Sequence, residues 1–134
     1  MNAESALVVV DTSVVSILFN NRMRSNAYAE FLEGNRAFIS FQTLEERLYG
    51  AYLAGWESRR MNELTAHLDQ YTVIWPNPEL VEIAARIRAQ REQQGRRLHL
   101  ADAWIAATAL LLNCPLVSDD NDFDGIPNLE LLTA

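Results

Sequence analysis

Short apolar runs alternate along this chain with segments of helical periodicity, and each run closes near an oxygen-bearing side chain. Leu7–Val10 is β-branched and ends on Asp11, Thr12 and Ser13; it reads as a buried strand running into a helix. Arg36–Ser40, Thr72–Trp75, Leu116–Ser118 and Leu129–Leu132 read as four further strands. Between them lie Val14, Val15, Ile17 and Leu18, capped by Thr12 or Ser13 and broken at Asn20–Asn21, then a helix over Ala27–Leu32 stopped by Gly34. Thr43 is expected to open a long helix through Leu44, Leu48, Ala51 and Tyr52, followed by another over Ser58–Gln70. Asn77 and Pro78 form a cap with proline in the first turn, and Leu80, Ile83, Ala84 and Ile87 follow at helical spacing until Gly95. Ala101–Asn113 is apolar nearly all round and should be a buried helix, with Pro115 barring its continuation.

Strands alternating with helices imply an α/β fold with a mostly parallel sheet covered on both faces. In such sheets ligands bind beyond the carboxyl ends of the strands, where the strand order switches. Asp11 and Asp120 each follow a strand closely and should arrive at that edge.

The chain has 134 residues, the size of one domain (1–134), and 49% of them are hydrophobic, enough for a substantial core. The one cysteine, Cys114, excludes an internal disulfide and is expected to be a buried thiol in a reducing, cytoplasmic setting. Glu4 interrupts the N-terminus, no basic region precedes Leu7–Val10, and no signal peptide is expected. Ala103–Leu112 is too short to span a bilayer, so no membrane role is expected.

The net charge is −7, and all 11 basic residues are arginines. An acidic chain is a poor generic binder of nucleic acid, because phosphate contact depends on positive charge. A nucleic-acid substrate would require metal ions and local arginines, and the same charge favours a basic protein partner.

The acids are the candidates for chemistry. Asp11 ends the first strand, and with Thr12 and Ser13 available as caps it is free for a hard cation. Glu46 stands three residues after Thr43, which is also capping-box spacing. It is preferred to Glu45 because Gly50 lies one turn further on its face and leaves room for a close approach. Asp102 opens the most apolar helix, with Ala106 and Ala109 as its small neighbours. Asp119, Asp120, Asp122 and Asp124 crowd the segment after the fourth strand. Asp120, Asp122, Asp124 and Gly125 fit half of a calcium loop, but the twelfth position falls on Leu131. Carboxylates brought together repel one another unless a cation lies between them, so a divalent-metal site is the leading expectation.

Other features are weaker. His67 sits in a polar helix and should be exposed, while His99 is a loop residue near Asp102. Arg96 and Arg97 precede the Asp102 helix as a solvated turn or as phosphate contacts. Trp56, Trp75 and Trp104 are expected to serve packing and not base stacking.

With these residues assembled, the chain resembles the PIN-domain family and, within it, the VapC toxins of bacterial toxin–antitoxin pairs. Residues 8–13 (Val-Val-Val-Asp-Thr-Ser) are similar to the family's first strand and first acid. Residues 39–51 place Glu46 four before a glycine, as in the second motif. Residues 100–110, around Asp102, are similar to the third and most specific motif. Residues 116–123 resemble the fourth, where the acid falls on Asp120, with Asp122 second. The departures are Ser118 in place of threonine, Arg47 in place of an apolar residue, and the extra acid Glu45.

The resemblance implies a three-layer α/β/α fold with five parallel strands in the order 3-2-1-4-5. It implies Mg²⁺ or Mn²⁺ held by Asp11, Glu46, Asp102, Asp120 and Asp122, water activated by the ion, and cleavage of RNA. Ser13 and Ser118 would orient a carboxylate or water behind the ligands. It further implies a cognate VapB-like antitoxin and a homodimer. A non-catalytic scaffold of the same fold, and a nuclease processing RNA or DNA outside a toxin pair, are the alternatives. A phosphotransfer receiver and a P-loop enzyme both need a lysine, which this chain lacks. A haloacid-dehalogenase-type phosphatase would place a second Asp where Ser13 stands.

Overall fold

The computed structural model describes residues 6–20 and 22–134, so the expectations resting on Glu4 and Asn21 lie outside the described residues. The elements are β1 (Leu7–Val10), α1 (Thr12–Asn20), α2 (Arg22–Leu32), β2 (Arg36–Ser40), α3 (Phe41–Leu53), α4 (Ser58–Leu68), β3 (Thr72–Ile74), α5 (Pro78–Gln93), α6 (Leu100–Leu112), β4 (Leu116–Val117) and β5 (Leu131–Leu132), with a 3₁₀ turn at Asn121–Phe123. Five parallel strands form one sheet in the order β3-β2-β1-β4-β5, as expected.

Strand alternation sends successive side chains to opposite layers. Val8, Val10, Ile39 and Val117 face one core, against Val14, Val15, Ile17, Leu64 and Leu68 of α1 and α4. Val9, Phe38 and Leu116 face the other, against Leu80, Ala84 and Ile87 of α5 and the buried face of α6. Both faces of β1 are therefore buried, which explains its unbroken valines. The fully buried Ile39 alone contributes about 1.5–3 kcal/mol. Ala103, Ala106, Ala107 and Ala109 are fully buried; such small side chains bring the α6 backbone close to the sheet and to α5.

Several local expectations are revised. α2 starts at Arg22, five residues before the expected Ala27. α3 starts at Phe41, because Ser40 at the end of β2 is its N-cap and accepts from the Gln42 N–H. Thr43 is therefore buried inside the helix, and no capping box ties it to Glu46. Asn77 caps α5 as read, accepting from the Leu80 N–H at 2.8 Å. Cys114 is half-buried rather than buried. His67 is half-buried too, its ring against Phe19 and Tyr71. Trp104 packs edge-on against Phe41 and Trp56 stacks on Phe19, but Trp75 is 61% exposed.

Gly50 sits within α3, and a Cβ added there meets nothing within 4 Å. Among the described residues, no neighbouring part of the chain exploits its missing side chain. Gly50→Ala should raise stability by about 0.5–1 kcal/mol, read as a higher urea midpoint, because alanine is the better helix former. A lowered midpoint would mean that a contact unseen here needs the glycine.

Candidate metal centre

β1 and β4 are neighbours, with β1 between β2 and β4, so chain order reverses beside β1. At the carboxyl edge of these strands is a cleft of about 320 Å³ lined by Asp11, Ser13, Ser16, Glu46, Arg47, Asp102 and Asp120, with Thr12 and Ile105. The four acids expected on strand ends and helix starts are thus brought to one place.

Asp11 is 3% exposed. Contrary to expectation it caps α1 itself, its Oδ1 accepting from the Val14 N–H at 2.9 Å. The Ser13 hydroxyl also donates to Oδ1 at 2.8 Å, and the Ser118 hydroxyl donates to Oδ2. Burial nonetheless pushes its pKa up, against the lowering effect of these bonds. Ser13 Oγ lies 2.5 Å from Asp119 Oδ1 as well, and a single hydroxyl proton cannot serve both carboxylates at once.

Asp119 turns toward α2, paired with Arg24 at 3.1 Å, and its pKa is lowered chiefly by the Ser13 bond. Asp120 and Asp122 turn the other way. Asp120 caps the 3₁₀ turn by accepting from the Asp122 N–H. The half-match to a calcium loop is therefore a short capped turn following a strand, not a loop entered from a helix.

One carboxylate oxygen from each of Asp102, Asp120 and Asp122 lies within 4.8 Å of the others. Burial pushes the Asp102 pKa up to about 6, with Asp120, Asp122 and Glu46 adding to the rise and His99 opposing it. Glu46 is also raised, by burial first; Gln42 and Thr12 lower it, while Glu45 and Asp11 raise it further. Its hydrogen bond from Gln42 Nε2 is long at 3.3 Å. Asp11 and Glu46 line the same cleft but stand outside the three-oxygen set.

Arg96 is exposed and reaches the Asp124 carbonyl at 3.4 Å; neither it nor Arg97 lines the cleft. The sequence reading missed Arg91. It is 4% exposed, and its Nη1 and Nη2 donate to the backbone carbonyls of Asp124 and Asp122. It thereby pins the turn that carries two of the three converging acids. Arg47, read only as a departure from an apolar position, forms a wall of the cleft.

An open parallel α/β sheet with an acid-lined cleft at its switch point defines a class of ligand-binding protein in which hard-cation chemistry is the natural fit. The PIN domain family matches residues 8–129, and the chain belongs to that family. It is 28% identical to "Ribonuclease VapC5" of Mycobacterium tuberculosis over 138 residues, covering 98% of each chain. The fold is similar to VapBC2 from Rickettsia felis, solved bound to a DNA fragment from their promoter, with a TM-score of 0.84, 23% identity, and coverage of 96% of this chain and 98% of that one. It is also similar to a toxin–antitoxin complex from Klebsiella pneumoniae, with a TM-score of 0.68, 30% identity, and coverage of 96% and 97%.

Proposed function

We propose that this chain is a Mg²⁺- or Mn²⁺-dependent endoribonuclease, the toxin of a type II toxin–antitoxin pair. The observation that carries the reading is the convergence of Asp102, Asp120 and Asp122 oxygens, the first two of them from acids that line one cleft with Asp11 and Glu46. The donor set is all carboxylate, which suits hard divalent cations, and it contains no sulfur or imidazole ligand among the described residues. The pKa of Asp102 is raised by burial first and then by the like charges of Asp120, Asp122 and Glu46, and a bound cation would relieve both. Asp11, Glu46, Asp102, Asp120 and Asp122 would hold the ion. When bound, such an ion supplies positive charge to phosphate oxygens and makes water a better nucleophile near neutral pH.

The chain's own residues set the geometry. Ser13, Ser118 and the Val14 N–H fix both oxygens of Asp11, so this acid keeps one orientation. Glu46 is oriented by Gln42 and Thr12. Ile105 and the buried Ala103 and Ala106 of α6 exclude water behind the acids. The names of the relatives, a ribonuclease VapC5 and a toxin–antitoxin complex, support the substrate and the partner. A VapB-like antitoxin and a second copy of the chain both require apolar docking surface. The groove formed by Leu44, Leu48, Tyr49, Tyr52, Leu53 and Trp75 supplies it. No helix among the described residues is long and apolar enough to cross a membrane.

Purified protein should cleave single-stranded RNA with Mg²⁺ or Mn²⁺ and stop when EDTA is added. Cleavage surviving EDTA overturns the metal assignment. Mn²⁺ binding without cleavage of any RNA would leave the scaffold reading standing instead.

A further inference from the structure

Arg47 projects from α3, next to Glu46, into a wall of the acidic cleft. Its Nε and Nη2 are buried with no hydrogen-bond partner among the described residues, and its Nη1 reaches Ser16 Oγ only at 3.4 Å. Burial lowers its pKa most, the Tyr71 side chain opposes that, and the neighbouring cation Arg60 lowers it further. A buried guanidinium with unspent donors is costly to keep. It stays only where an anion compensates it for part of the working cycle, or where its stem fills space.

The surroundings extend toward solvent. Asn20 Nδ2 reaches Ser16 Oγ at 3.4 Å, and Arg60 Nη2 donates to Asn20 Oδ1 at 3.0 Å. The Arg60 guanidinium lies 4.1 Å from the Trp56 ring centre, and Trp56 stacks on Phe19 at 6.0 Å. The Arg47 guanidinium lies 5.8 Å from the Phe19 ring on the same face of α1. A track of Arg47, Phe19, Arg60 and Trp56 therefore leads from the acid cluster outward. Basic groups interleaved with aromatic rings suit a single-stranded nucleic acid, whose phosphates pair with the cations and whose bases stack on flat groups.

We propose that Arg47 and Arg60 form an anion subsite that binds phosphates of single-stranded RNA flanking the one at the acid cluster, an inference that rests on the ribonuclease reading above. A strand whose reacting phosphate lies among Asp11, Glu46 and Asp102 must leave the cleft along one of its walls. The Arg47 wall offers a half-buried guanidinium whose Nε and Nη2 have no hydrogen-bond partner among the described residues and which a modest turn of the side chain would present to a phosphate. In a chain of net charge −7 without lysine, these arginines offset the repulsion a polyanion meets at the acids.

The test uses the full chain carrying Asp102→Asn, so that labelled single-stranded RNA is bound but not cut, and reads fluorescence anisotropy across a salt series. Arg47→Leu keeps an apolar stem in the core and should weaken binding about tenfold. It should also lessen the slope of log affinity against log salt by about 0.7, one phosphate contact. Arg60→Gln, an exposed site, should do the same if Arg47→Leu does not fold. Arg47→Lys should recover part of the loss. In the otherwise native chain, KM should rise with little change in kcat. Mn²⁺ affinity should be unchanged, which a collapsed cleft would not allow. Unchanged RNA affinity and salt slope in both variants overturns the subsite while the ribonuclease reading stands. Loss of a bound partner protein with RNA binding intact assigns the arginines to that protein and overturns it too. Native chain that neither binds nor cuts RNA with Mg²⁺ or Mn²⁺ overturns both.

Discussion

Asp102→Asn should lower RNA cleavage in Mg²⁺ by on the order of 10³-fold or more, while the metal-free protein becomes more stable at neutral pH. The first effect follows from the place of Asp102 in the three-oxygen set with Asp120 and Asp122, within electrostatic reach of Glu46. An amide there cannot supply the negative charge that holds a cation against phosphate, and loss of one well-placed electrostatic contact already costs about 10²–10³ in rate. A variant that cuts RNA at the native rate removes Asp102 from the chemistry.

The second effect has a definite sign. The Asp102 pKa in the folded chain is raised to about 6, whereas an unfolded aspartate titrates near about 3.9. Below the unfolded value both states carry the proton and the group costs nothing. As pH rises through the interval up to about 6, the unfolded state gives up its proton first, so stability falls; above it the full penalty is present. A shift of this size is worth about 3 kcal/mol for a fully enclosed group, and solvent screening of the half-exposed Asp102 reduces it to about 1–2 kcal/mol. Asp11 and Glu46 are raised as well and push in the same direction. In EDTA, native protein should thus lose melting temperature between about pH 4 and pH 6, and Asp102→Asn should lose less. Mg²⁺ at pH 7 should restore the native protein but not the variant. Equal melting curves for the two proteins at pH 7 in EDTA would show that the acids do not strain the fold.

The sheet was legible because its strands are unbroken β-branched or apolar runs, and a parallel sheet buried on both faces leaves them no polar alternation. The meeting of Asp11, Glu46, Asp102 and Asp120 was legible for a related reason: strand ends and helix starts share one edge of such a sheet. What failed were local decisions that depend on tertiary contact. Ser40 caps α3 because β2 enters the helix without a turn, and nothing in the sequence separates that from a start at Thr43. Thr43 is buried beside Thr12, its hydroxyl 3.0 Å away, instead of facing solvent as a cap. His67 looked exposed in a polar segment, yet it shares a helical stripe with Leu64, Leu68 and Tyr71. Arg91 carried the same missed signal: positions 80, 84, 87 and 91 form one buried stripe of α5, and three of them are apolar. A cation in an apolar stripe needs buried acceptors, which here are carbonyls from a segment more than 30 residues away.

Arg91→Met is expected to be the most damaging substitution outside the acid cluster. Methionine matches the length of the stem but leaves the carbonyls of Asp122 and Asp124 without their donors. Charge-assisted bonds of this kind are worth about 1.5–3 kcal/mol each, so a loss of about 3–5 kcal/mol is expected. This is partly offset by removing a buried charge whose Nε has no partner. The melting temperature should fall by roughly 10 °C or more. A purely structural role would end there. Because the bonds run to the turn bearing Asp120 and Asp122, the variant should also bind Mn²⁺ at least about tenfold more weakly at a temperature where it is fully folded. Arg91→Lys restores the charge with one point donor in place of the two-nitrogen fork, so it should recover stability more than metal affinity. Native Mn²⁺ affinity in folded Arg91→Met would show that the turn holds its shape without the arginine, and that the converging acids owe their placement to the Asp120 cap and the strand alone.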